Sequence, residues 1–577
     1  MMLRNPDFRL QPSELASRKN ETMKVLNMLR RSSVIPPLSL LAAALLGSCG
    51  GDGDPLSSYQ DQTPDWRGCA EERFSASDLE LAQKLGSRVS CADIRVPRDY
   101  ANPEHGEISV AVLRVQAAQA GGNNPAILIN PGGPGEDGLS WPLRLSVYWS
   151  MDQTTEDPAV VQSYQQLAQR YDLIGFSPRG TGWSTRLECL HQQDPMPVAD
   201  PTRHLDQDNI DKTLFNSELI AQACRDNPLM PHINTDATAR DMDLIRHLLR
   251  QDKLNYIGLS YGTWLGNWYA SLFPERVGRM LLSGVNDFSV PLSHQALPQD
   301  QGRQAVLDKV LIPYATRHPE RFSLPVTASA LRQMIDALPD PLHAAVVDAL
   351  IDRNMLSNAS MADSVVLTLR AAQVLHGELL ANPAIDQVSL LARMANFDFV
   401  PKEPDATLNA IARTAAEDLI KRYFKPEIQI DDMFWSVVCN DSGTGFTPQG
   451  WVDQGNLNAK IYPDFGGSVR ENACLYWRQP LIARPSQQRA TQAGDILMLQ
   501  ATQDPLTVLS GAMTSLYLLP NASMILVSDE ITHALMPPYG TSCVDQPIAA
   551  YFLTGSLPPR KTSCQGRPLA ADASSTP

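Results

Sequence analysis

Gly258-Leu259-Ser260-Tyr261-Gly262 occurs once in the chain, and it can turn a serine hydroxyl into a nucleophile. A serine at a sharp strand-to-helix turn sits in strained backbone. A glycine two residues to either side lets strand and helix meet without a clash. The hydroxyl needs a base for its proton and a carboxylate to orient the base. In the strand–turn–helix setting, acid and then histidine follow the serine. Of ten histidines only His533 lies in the last quarter of the chain, and Asp504 precedes it by 29 residues. Asp529 is the second candidate acid, but it sits too close to His533 to come from a different loop. A reacting carbonyl also needs donors for its developing negative charge. Asn130-Pro131-Gly132-Gly133-Pro134-Gly135 offers them: glycines let N–H groups approach a ligand and prolines shape the loop. The expected donors are the N–H of Tyr261 and that of Gly133, with Gly132 as the alternative to Gly133.

These residues must be delivered by elements that end at one place. Short apolar runs read as strands at Ile108–Val115, Pro125–Asn130, Tyr171–Phe176, Leu254–Leu259 and Met280–Val285, and again at Asp495–Gln500 and Met524–Val527. Helical periodicity lies between several of them, best in Met242, Ile245, Leu248 and Leu249 after Thr235-Asp236, and Trp264–Phe273 follows the serine. Strands alternating with helices predict an α/β fold, a mostly parallel sheet covered on both faces. From 291 to 430 the period turns helical, as in Leu331, Met334, Ile335 and Leu338, then Val365, Val366, Leu369 and Ala372. The expected organisation is a leader over 1–48, a flexible tether over 49–64, a first core part over 65–290, a helical cap inserted over 291–430, a second core part over 431–566 and a disordered tail over 567–577.

Lys24, Arg30 and Arg31 precede an apolar stretch, Val34–Leu46, that is too short and proline-broken for a comfortable membrane span. Leu46-Gly47-Ser48-Cys49 then resembles a bacterial lipobox, which makes Cys49 the expected lipidation site. Acidic residues before Met23 suit no leader, so translation is expected to start at Met23 or Met28. The expected product is exported and tethered to the bacterial envelope, with the lipid as its only membrane contact. Eight cysteines remain, in the local couples Cys69/Cys91, Cys189/Cys224, Cys439/Cys474 and Cys543/Cys564. Sequence alone leaves 105 connectivities open. There is no Cys-x-x-Cys, no His-Glu-x-x-His and no phosphate-binding Gly-x-x-x-x-Gly-Lys loop, so neither a metal nor any other cofactor is expected. A net charge of −15 argues against nucleic acid as a partner. Nothing in the sequence sets an oligomeric state.

NPGGPG at 130–135, YDLIGFSPRGTGWST at 171–185, GLSYG at 258–262, the placement of Asp504 and His533, and CVDQPIAAYFLTGSLP at 543–558 together resemble the tripeptidyl aminopeptidase branch of the prolyl-aminopeptidase-like α/β-hydrolases. The resemblance spans about residues 65–566. It implies an α/β-hydrolase fold with a helical cap, an exported serine peptidase acting on peptides with free N-termini, and a Cys543–Cys564 bridge. Two positions depart from the family pattern. Ser177 stands where the family has the aspartate of Phe-Asp-Pro-Arg-Gly, which removes an expected support for Arg179. Thr532 and Ala534 flank His533 in place of glycines. An aminopeptidase must also bind an ammonium group, which calls for a carboxylate. Asp441 is the expected anchor, with Glu136 or Asp137 as alternatives, and Trp435 or Trp264 could line an apolar pocket. An esterase or amide hydrolase would use the same machinery, and a silent binding lipoprotein would leave Ser260 unreactive.

Overall fold

The computed structural model describes residues 54–119, 121, 123–150, 157–351, 361–402, 406–426, 430–466, 472–477 and 480–573. The expected leader and Cys49 lie outside the described residues. None of the helices among those residues is long and apolar enough to cross a membrane.

Nine strands form one sheet: β1 (Val89–Pro97), β2 (Glu107–Val115), β3 (Ala126–Asn130), β4 (Asp172–Phe176), β5 (Leu254–Leu259), β6 (Val277–Ser283), β7 (Ile496–Ala501), β8 (Ala522–Ser528) and β9 (Lys561–Gln565). Their order is β1-β2-β4-β3-β5-β6-β7-β8-β9. β2 runs antiparallel to both β1 and β4, and every other neighbouring pair is parallel. The central parallel strands β3 and β7 are buried along their whole length because helices cover both faces. In β7, Ile496 and Met498 join one buried cluster, while Leu497 and Leu499 join the other. β1 and β9 were not expected. In β1 Asp93 and Arg95 alternate with buried Ala92, Ile94 and Val96, and in β9 only Cys564 is buried. An edge strand need bury only one face, so its sequence is not a continuous apolar run.

The helices that matter for the site are α1 (Trp141–Ser150), α2 (Pro158–Arg170), α3 (Gln207–Ala223), α4 (Thr235–Leu248), α5 (Tyr261–Leu272), α6 (Gln299–Val306), α7 (Ala328–Asp336), α8 (Asp340–Ala349), α9 (Ala362–Ala381), α10 (Ala406–Phe424), α11 (Asp432–Asp441) and α12 (Pro448–Ile461). Asn234 caps α4 by accepting from Ala237 N. Helices α6 to α10 contribute to a buried cluster separate from the two on the sheet. The helical stretch continues past 430: α11 and α12 precede β7, and Val437 and Val438 of α11 belong to the cluster beneath the sheet.

The connection from β4 to α4 also reaches the cap. Arg203 Nη1 donates to Leu338 O at 2.7 Å, and His343 Nδ1 lies 2.5 Å from Asp200 Oδ2.

Two expectations of disorder are corrected. In the expected tether, Ser57–Gln60 is a helical turn, and Tyr59 is buried with its hydroxyl donating to Pro103 O at 3.0 Å. In the expected tail, Leu569 and Ala571 are buried in the cap cluster, and Asp572 pairs with Arg317 and His318. Single apolar side chains docking into an existing core carry no periodicity that sequence reading could catch.

All eight cysteines outside residues 1–53 are paired, Cys69–Cys91, Cys189–Cys224, Cys439–Cys474 and Cys543–Cys564.

Candidate active site

Strand order reverses at β3, whose neighbours β4 and β5 lie on either side. Loops at the carboxyl ends of strands gather around such a switch point. Ser260 follows β5, the 131–135 loop follows β3, Asp504 follows β7 and His533 follows β8.

Ser260 has φ 53° and ψ −122°, a left-handed conformation that a side chain rarely adopts. The motif glycines make this turn possible. A Cβ on Gly258 would lie 2.4 Å from Gly262 O, and one on Gly262 would lie 2.6 Å from Asn130 O. The turn is fastened by its carbonyl, which accepts from Thr263 Oγ1 and from Asn286 Nδ2, each at 2.7 Å. Tyr261 then opens α5, where first-turn N–H groups point outward and the helix dipole favours negative charge. Gly132 packs on this turn, since a Cβ there would stand 2.7 Å from Leu259 O and 3.2 Å from Tyr261 N. Gly132 and Gly133 both take positive φ, and Gly133 lines the cavity above Ser260.

His533 Nδ1 lies 3.0 and 3.1 Å from the two carboxylate oxygens of Asp504. A carboxylate only accepts, so Nδ1 carries the hydrogen and Nε2 is left as the basic nitrogen. Asp504 is buried. Its Oδ1 also accepts from the N–H groups of Leu506 and Thr507, both at 2.9 Å, and its Oδ2 from Thr507 Oγ1 at 2.8 Å. The Thr507 hydroxyl stands 3.4 Å from His533 Nδ1, so it braces acid and imidazole together.

The Ser177 departure is absorbed locally. Ser177 Oγ donates to Asp137 Oδ1 at 2.8 Å, so the carboxylate comes from the glycine-rich loop. Arg179 is fully buried and forms a two-pronged pair with Asp241, both bonds 2.7 Å, while Arg98, His232 and Pro97 supply carbonyls. Asp241, Thr507 and Asn286 were not singled out in the sequence. The first lies on a helix far along the chain. Asp504-Pro505-Leu506-Thr507 carried a legible cue, a carboxylate followed by main-chain and hydroxyl donors in one turn.

A cavity of about 400 Å³ opens over Ser260. Leu292, Leu297, Phe434, Trp435, Val438 and Trp451 give it apolar walls, and Asp300 and Arg303 of α6 are its charged lining residues. Asp300 accepts from Asn458 Nδ2 at 3.1 Å. Asp441 is corrected: it is buried, does not line this cavity, and accepts from Thr235 N at 2.9 Å and from the Thr235 hydroxyl. Burial pushes its carboxyl up to about 7 against those hydrogen bonds. Glu136 and Asp137 do not line the cavity either, and Trp264 is buried against Trp268 and Phe288. The strained Ser260 and the helix N-terminus that begins at Tyr261 line the cavity, as do Leu506 and Thr507 of the loop that holds Asp504 against His533; a nucleophilic hydroxyl and outward N–H groups of this kind suit acyl transfer.

Comparison with known proteins follows the same lines. Residues 125–341 match the family described as alpha/beta hydrolase fold, and residues 462–564 match the one described as TAP-like protein. Over 226 residues the chain is 36% identical to the tripeptidyl aminopeptidase of Streptomyces lividans, which covers 38% of this chain and 38% of that relative. The matched part is thus little more than a third of that relative's length. Over 549 residues it is 24% identical to the serine protease Hip1 of Mycobacterium tuberculosis, covering 92% of this chain and 97% of the relative. Over 533 residues it is 27% identical to carboxylesterase B of the same species, covering 88% and 90%.

Proposed function

We propose, for a chain that belongs to the α/β-hydrolase fold family and is a hydrolase of that superfamily, a serine peptidase that removes short peptides from free N-termini. The hydrogen bond from His533 Nδ1 to Asp504, delivered beside the Ser260 turn, carries the reading. Ser260 Oγ gives its proton to His533 Nε2 and bonds to the scissile carbonyl carbon. The oxygen that becomes negative is held by the N–H groups of Tyr261 and Gly133. The C–N bond breaks as His533 returns the proton to the leaving amine. Water, deprotonated by the same imidazole, then releases the acyl group and restores Ser260. Asp504 keeps its charge throughout and fixes the imidazole.

Asp300 is the carboxylate that meets the substrate's ammonium, because it is the one acid among the described residues lining the cavity. Arg303, one turn further along α6, suits peptide carbonyls. Four disulfides fit an oxidising, extracytoplasmic compartment, and the lipobox-like stretch at Cys49 would tether the protein to the envelope. An esterase is the second reading, favoured by the near full-length similarity to carboxylesterase B. Matched peptides with free and acetylated N-termini, and a simple ester, separate the two, with Ser260→Ala as the control. The peptidase reading expects turnover of free-N-terminal peptides, loss of all turnover in Ser260→Ala, and fluorophosphonate labelling of Ser260 alone. Turnover of the ester with neither peptide would leave the esterase.

A further inference from the structure

We propose that Glu530 is a positioning residue that sets the imidazole of His533 by clamping its loop to the loop of Asp504; this rests on the reading of Ser260, His533 and Asp504 just given. Glu530 is completely buried. Its Oε1 accepts from the N–H groups of Ile531 and Thr532, both at 3.0 Å, and from Thr532 Oγ1 at 2.6 Å. Its Oε2 accepts from the Tyr539 hydroxyl. A buried carboxylate is tolerated when donors surround it in this way. The main chain of Glu530 faces the other loop, its carbonyl accepting from Gln503 N at 3.0 Å, one residue before Asp504. Two more bonds zip the loops together, Thr502 N to Val527 O at 2.9 Å and Asp529 N to Thr502 Oγ1 at 3.1 Å.

The segment held by this carboxylate is strained. Asp529 and Ala534, at its two ends, both have positive φ, 56° and 54°. Ala534 occupies a position where an unhindered left-handed turn would use glycine. It is also pressed by Gly284, where a Cβ would lie 2.9 Å from Ala534 Cα. Ile531, between them, packs into the cap cluster. Glu530 thus holds the loop from the sheet side while Ile531 holds it from the cap side, and His533 follows two residues after Ile531 with its Nδ1 on Asp504. Removing the acceptor would leave the Ile531 and Thr532 N–H groups unpaired in a dry site, and the loop would relax away from its left-handed ends, carrying the imidazole off Asp504.

The test uses the full chain and the variants Glu530→Gln and Thr532→Val. Glutamine keeps the volume, but its NH₂ faces a Tyr539 oxygen that already accepts from Arg567 N at 2.8 Å. Glu530→Gln should lower kcat roughly 10- to 100-fold on peptide and ester alike, with KM within about twofold, because misplacing a reacting group acts on the chemical step. The low-field proton resonance of the His533 Nδ1–H bonded to Asp504 should weaken or vanish, and Thr532→Val should show a smaller change in both. Glu530→Gln with wild-type kcat, or a resonance unchanged while Tm falls, would overturn the proposal. If Glu530→Gln does not fold, an unaltered kcat and resonance in Thr532→Val does the same. A wild-type protein that fluorophosphonate leaves unlabelled at Ser260 would overturn the underlying reading instead.

Discussion

Asp300 and Asp441 are the same side chain in opposite circumstances. Asp300 faces the cavity, where an arriving ammonium can meet its charge. Asn at that position should reduce kcat/KM for free-N-terminal peptides by roughly 10- to 150-fold, equivalent to about 1.5–3 kcal/mol for a charge-assisted contact. The same variant should leave acetylated peptides and esters almost unchanged. Equal loss on all three would mean that Asp300 only supports α6. Asp441 is instead closed in on Thr235, and burial holds its carboxyl near 7 against 3.8 in the unfolded chain. Between those values the folded state binds more proton, so this residue's contribution to stability falls as pH rises from about 4 to about 7. Asp441→Asn cannot ionise, and its Tm relative to the wild type should climb across that window. A difference in Tm that stays flat from acid to neutral pH would contradict the burial argument. The strained turn at Ser260 and the pairing of Asp504 with His533 could be expected from the sequence because reaction chemistry restricts both residue type and chain order. The acid that lines the cavity could not be, because burial decides which of many aspartates reaches a cavity wall, and no local pattern announces it.

At the level of elements, α6 is the part whose placement most directly joins cap to chemistry. It presents Asp300 and Arg303 to the cavity, and a Cβ at Gly302 would lie 2.3 Å from Pro505 O, the residue after Asp504. Neither backbone can yield cheaply at that distance. Gly302→Ala should push α6 and the acid loop apart, lowering kcat on peptide and ester together by roughly 10-fold or more. Steady-state kinetics on both substrates would show it, and a selective loss on peptides alone would place the effect in substrate binding instead. Strands β2 to β8 and α4 were readable from apolar runs and periodicity. Past residue 430 the helical pattern continues through α11 and α12, yet α11 changes partner, turning Val437 and Val438 under the sheet. Periodicity reports that a face is buried but not against what.

For the molecule as a whole, two kinds of cross-link act on different states. Each disulfide closes a loop of 21 to 35 residues and constrains the unfolded chain by on the order of 3–4 kcal/mol. Reduction should therefore lower Tm by several degrees in a thermal melt. No shift on full reduction would mean that the bridges are thermodynamically idle. Inside the cap, His343 sits between Asp200 and Asp464, and Arg332 joins Asp464 to Asp308, with Arg203 and His204 on Asp340 nearby. Burial alone would lower the His343 pKa, but the two carboxylates raise it above 6.5. Burial opposes charge on Asp464 as well, yet His343 and Arg332 hold it down to about 2, and His343 likewise lowers Asp200. The raised imidazole stabilises fully below 6.5 and loses its effect as pH rises through its folded value. The lowered carboxylates stabilise above 3.8 and lose theirs as pH falls toward 2. Cap stability should peak between about pH 4 and 6.5, and His343→Gln should flatten the alkaline side of the profile. The burial of Leu569 and Ala571 in the cap cluster has a further consequence, this time for biogenesis. The cap begins near residue 299, yet its core is not filled until residue 571 has been made. The cluster therefore closes around side chains that emerge only at the end of synthesis, well after the helices that make up most of it.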